Sequence, residues 1–64
     1  MQINGEKFRA AMEAAGAKPM AIAQAGGLSY SRIFQIKTAG ISNVNDRAGE
    51  AMAKVLKVKP GELK

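Results

Sequence analysis

The sequence predicts an all-α fold, a compact bundle of four to five short helices with residues 1–64 as one domain. Three observations carry this. Apolar residues recur at three- and four-residue intervals along most of the chain, and there is no β-branched alternating run. Seven glycines and two prolines cut that periodicity into short pieces. The chain has neither cysteine nor histidine, so disulfides and the common zinc sites cannot support the fold, and side-chain packing must do so alone. A chain of this size buries only about 60% of its unfolded surface, which favours a tight helical bundle or an oligomer.

The elements follow in order. Asn4 is a candidate N-cap for a first helix whose apolar positions are Phe8, Ala11, Met12 and Ala15, and Gly16 supplies its stop. Pro19 suits the first turn of a second helix whose apolar stripe is Met20 and Ala23, with Ile22 as a further candidate, and Gly26-Gly27 ends it after about two turns. Ser29 caps a third helix with Ile33 and Ile36 inward, ending near Lys37 or Thr38. Residues 38–45 read as a loop by composition. From Asn45 a fourth helix repeats Ala48, Ala51, Met52, Val55 and Leu56 at helical spacing, and Pro60 opens a last turn that closes on Leu63.

Charge then narrows the function. Ten Lys and Arg stand against five Asp and Glu, a net charge of +5. No carboxylate lies between Glu13 and Asp46, an interval that holds Lys18, Arg32 and Lys37. An anionic partner can approach there without meeting a like charge. Without histidine or cysteine, the side chains that most often act as base or nucleophile near neutral pH are missing, so no enzymatic activity, metal or cofactor is expected. The amino terminus has no basic and apolar leader pattern, and no apolar run is long enough to span a bilayer, so the expectation is a cytoplasmic chain away from membranes.

The segment from Ile22 to Ile33 places two helices around a tight turn. Ala23 is small enough for close helix crossing, Gly27 tolerates positive φ, Leu28 fills the corner and Ile33 closes the core. Here the sequence resembles the Cro/repressor type of helix-turn-helix family, the phage and bacterial regulators that include the λ and 434 repressors. The matching residues are Ile22, Ala23, Gly27, Leu28, Ser29 and Ile33, and the run from Val55 to Leu63 is similar to that family's closing segment. The resemblance covers residues 5–63 and implies a λ repressor-like bundle that binds double-stranded DNA.

By that resemblance the third helix lies in the major groove. Tyr30, Ser31 and Gln35 are then expected to contact bases, Gln35 by pairing with adenine N6 and N7, Ser31 at a base or a phosphate, and Tyr30 either against a thymine methyl or covering the helix one turn below. Lys18, Arg32, Lys37, Thr38 and Asn43 are expected along phosphates, with Arg32 also able to fork onto guanine. Phe34 has three open roles: a partly buried edge residue, a thymine methyl contact or a dimer contact.

The sequence also departs from the family. Pro19 replaces a polar residue at the start of the second helix. Met12 and Lys37 stand where some members carry an Arg and Glu pair. Lys57 replaces the usual Gly after the fourth helix, which predicts a less sharp end, and Gly40 follows Ala39, which predicts a loop shifted by a residue. One short reading helix covers too few base pairs for regulatory specificity, so a homodimer on a palindromic operator is expected. Val44, Val58 and Leu63 are candidates for its interface or for core. The rival expectation is a helical protein-interaction module, antitoxin- or controller-like, with weak or no DNA binding.

Overall fold

A computed structural model describes residues 1–64, in the order β1 (Gln2–Asn4), α1 (Gly5–Ala15), α2 (Pro19–Gly26), α3 (Tyr30–Thr38), β2 (Ile41–Asn43), α4 (Asp46–Val55) and a final 3₁₀ turn (Pro60–Leu63). Each helix starts where its local chemistry dictates. The side chains of Asn4, Ser29 and Asn45 accept from the backbone N–H groups of Lys7, Arg32 and Ala48, each satisfying a first-turn donor that has no partner inside its helix. α2 has no such cap; Pro19 opens it with the φ a helix needs and no N–H to satisfy.

Three helices end in the same way. After α1, Gly16 N–H donates to Glu13 and Ala17 N–H to Met12; after α2, Gly27 donates to Gln24 and Leu28 to Ala23; after α4, Lys57 donates to Lys54 and Val58 to Ala53. This paired cap requires a left-handed residue. Gly16 and Gly27 supply it at φ 64° and 67°, and Lys57 is held there at φ 60°. The less sharp end expected from Lys57 is therefore corrected: α4 stops abruptly, and Lys57 adopts the left-handed backbone conformation that glycine favours. A Cβ in that conformation costs roughly 1–2 kcal/mol, of which glycine returns part to the unfolded chain. Lys57→Gly is expected to stabilise the protein by about 1 kcal/mol and raise Tm by ~4–8 °C in a thermal melt. After α3, Ala39 is extended at φ −79°, ψ 154°, a conformation that requires no glycine.

The all-α expectation needs its own correction. β1 and β2 form a two-stranded antiparallel sheet in the register Gln2↔Asn43, Ile3↔Ser42 and Asn4↔Ile41, so residues 41–43 of the expected loop are a strand. Met1 and Val44 extend the ladder by exchanging backbone hydrogen bonds of 2.7 and 2.9 Å. Ile3 and Ser42 face inward and their neighbours outward, the alternation a half-buried strand shows. The helices remain the bulk of the structure, and the coarse expectation of a small helical bundle stands.

The core runs through the middle of the molecule, which measures 21 × 21 × 20 Å. Phe8 and Met12 of α1, Ile22 and Ala23 of α2, Ile33 and Ile36 of α3, and Met52 and Ala53 of α4 with the following Leu56 close around Ile3 and Leu63. Met20, expected on the apolar stripe of α2, is corrected: it is 60% exposed, and Ile22 takes the inward place. Burying each of the larger side chains contributes about 1.5–3 kcal/mol. α2 packs chiefly on α4, while α3 rests between α1 and α2 with its outer surface uncovered. No helix is long and apolar enough to cross a membrane.

Candidate nucleic-acid interface

α2 and α3 are joined by Gly27, Leu28 and Ser29 alone. Gly27 turns the chain, half-buried Leu28 packs against the core, Ala23 is 5% exposed, and Ile33 is fully buried. The burial of Ile33 and Ile36 then fixes how α3 is rolled. At about 100° per residue, Ser31, Phe34, Gln35 and Thr38 fall on the side facing away from the core. All four are exposed.

The flanks differ. Arg32 is half-buried and turns toward β2, where its guanidinium donates to the Asn43 carbonyl at 2.6 Å and to the Gln35 side-chain oxygen at 3.3 Å. Both acceptors are neutral, so the arginine keeps its charge while its position is fixed. Gln35 keeps its amide N–H groups and a second lone pair free for a ligand. Three residues expected at separate points of a ligand surface are thus brought into one linked group, with Arg32 bracing Gln35.

On the other flank are Tyr30, which is 55% exposed, and Lys37, which lines a shallow groove shared with Arg9 and Glu13 of α1 and with Gly16 at its end. Arg9 donates to the Lys37 backbone carbonyl at the end of α3. Sequence reasoning missed this link. It saw only that Met12 and Lys37 stand where the resembled family can carry an Arg and Glu pair; Met12 is buried core, whereas Arg9 stands one turn earlier and satisfies an α3 carbonyl that lacks a helical partner. Its signal was a basic residue three positions before Met12, on the same side of α1.

The remaining expected residues are dispersed. Lys18 is exposed at the N-cap of α2 with no hydrogen bond from its side chain. The Thr38 hydroxyl donates back to the Phe34 carbonyl at 3.0 Å. Asn43 sits on β2 with an exposed side chain. No lysine or arginine side chain is paired with a carboxylate, so the positive charge around α3 is not neutralised within the molecule. No group of acidic or other metal-ligating side chains is placed to hold a metal ion.

Phe34, left open by the sequence, is 59% exposed between Ser31 and Gln35, and with Met20, Tyr30 and Ile41 it makes up the large exposed apolar side chains. Val44 and Val58 pack on the core and Leu63 is fully buried, so the apolar residues held as interface candidates belong to the fold. No family model, curated protein or solved structure matches the chain.

Proposed function

We propose that this chain is a sequence-specific DNA-binding transcriptional regulator of the Cro or repressor kind, acting in the cytoplasm as a homodimer on a palindromic operator. In this reading α2 and α3 form a helix-turn-helix, and α3 enters the major groove. The carrying observation is the outward side of α3: Ser31, Phe34, Gln35 and Thr38 exposed together, cationic side chains on both flanks and no carboxylate between Glu13 and Asp46. The motif residues Ile22, Ala23, Gly27, Leu28, Ser29 and Ile33 support the same reading through their family resemblance.

Gln35 reads adenine through its carboxamide, and Arg32 serves as a positioning residue that holds that carboxamide in orientation. Ser31 contacts a base or phosphate beside it. Lys18, Lys37, Thr38 and Asn43 set the register on the phosphates.

The test is enrichment of a duplex from a random-sequence pool, followed by gel shift. Gln35→Ala is expected to cost about 1–3 kcal/mol on the enriched duplex and to relax preference at one adenine per half-site. Arg32→Lys keeps the charge and loses the fork, so base preference at that adenine should fall while the salt dependence of binding stays unchanged. If no duplex is enriched over random DNA at low salt, the proposal fails.

The exposed apolar group of Met20, Tyr30, Phe34 and Ile41 favours one rival, a protein-interaction module on this fold. The double variant Arg32→Ala with Gln35→Ala separates the two readings, since a module keeps its partner and a regulator loses its operator.

A further inference from the structure

Phe34 is the side chain on the outer face of α3 that hydrogen bonding does not explain. It is 59% exposed, with Ser31 one turn before it, Gln35 beside it and Thr38 one turn after it. The Thr38 hydroxyl is turned back onto the Phe34 carbonyl, so it does not contest the space in front of the ring. The ring offers neither donor nor acceptor, and the apolar group displayed on base edges in the major groove is the C5-methyl of thymine.

We infer that Phe34 is a specificity-determining residue that reads a pyrimidine 5-methyl group, placing a thymine next to the adenine read by Gln35 in each half-site. This rests on the DNA-binding reading of α3. Charge selects DNA over a second copy of the chain as the occupant of this face. Two-fold pairing through α3 would set Arg32 and Lys37 near their own images with no carboxylate on the helix to relieve them. DNA brings the opposite sign along both flanks.

The test uses the duplex enriched from a random pool, with each thymine replaced in turn by deoxyuridine, which removes only the methyl. For the wild-type protein, one thymine per half-site should lose about fourfold in affinity on replacement. For Phe34→Ala, checked for native folding by circular dichroism, that penalty should vanish, and the two proteins should differ less on uracil than on thymine. 5-Methylcytosine at the same position should recover contact that cytosine lacks.

A penalty that persists in Phe34→Ala assigns the methyl to another residue and overturns the inference. So does an enriched duplex with no sensitive thymine, which leaves DNA binding itself standing if Gln35→Ala still relaxes adenine preference. Failure to enrich any duplex removes both readings together. Sedimentation showing that Phe34→Ala dissociates a DNA-free dimer would make the ring a self-association contact and overturn the inference as well.

Discussion

Gly5→Ala is expected to lower Tm by about 15 °C or more, the largest stability effect of any single methyl added to this chain. A Cβ built on Gly5 lies 2.0 Å from the Ala39 carbonyl oxygen and 2.9 Å from that of Ile36, and both obstacles are backbone. Neither can swing aside as a side chain would. Gly5 N–H donates to the Gly40 carbonyl at 3.0 Å, and Arg9, one turn on, donates to Lys37, so α1 is bound to the end of α3 where the methyl would push them apart. Retreat of α1 also loosens Phe8 in the core and strains β1, which leads directly into it. Overpacking typically costs about 1–3 kcal/mol and sometimes more, and lost backbone hydrogen bonds add to that. A domain of this length has roughly 3–10 kcal/mol in total. Gly49→Ala is the control. Its Cβ would meet Met1 Sδ at 2.2 Å, the far end of a flexible thioether, and a mid-helix alanine returns about 0.5–1 kcal/mol of backbone entropy. Paired thermal melts should therefore separate the two variants widely.

Binding to the enriched duplex is expected to fall by roughly 10³–10⁵-fold between 50 and 200 mM salt, the largest functional effect. Each subunit is expected to neutralise about four phosphates, giving a two-fold pair a log–log slope of about −7. The structure bears on this through what its cations do not do. Arg32 spends its hydrogen bonds on a carbonyl and an amide, Arg9 on a carbonyl, and Lys18 on nothing within the molecule, so none of these charges is cancelled before a partner arrives. Titration of affinity against salt reads the slope directly. A slope shallower than about −3 is incompatible with a paired phosphate-binding surface and favours an apolar partner for α3.

The parts of this molecule that were legible in its sequence are those decided within a few residues. Asn4, Ser29 and Asn45 cap their own helices through bonds three positions away, Pro19 and Pro60 open their turns, and Gly16 and Gly27 close theirs. What escaped is what two distant segments decide together. Gln2–Asn4 and Ile41–Asn43 are each too short to show a strand period, and Asn is a poor strand former; the pairing across the chain makes them strands. Gly5 resembled any other glycine until the close approach of Ala39 gave it a reason, and Lys57 carried no local mark of its left-handed backbone.

The candidate site divides along the same line. Helical period foretold that Ser31 and Gln35 share an exposed side of α3. It could not foretell that Arg32 would reach across to Asn43 and brace Gln35, or how far Phe34 would stay exposed, because both depend on what lies beside the helix.

The ladder between β1 and β2 also bears on the order in which the chain assembles. Its outermost pair, Met1 and Val44, is 43 residues apart in sequence. As the chain folds, α2, the Gly27 turn and α3 can associate through short-range contacts before β1 has found its partner. Closing that long loop costs entropy that only the finished sheet and the docking of Gly5 beneath it can offset. The surface that carries Gln35 and Phe34 is thus framed by short-range contacts, and the segment that locks it in place precedes it in the chain yet is among the last to find its seat.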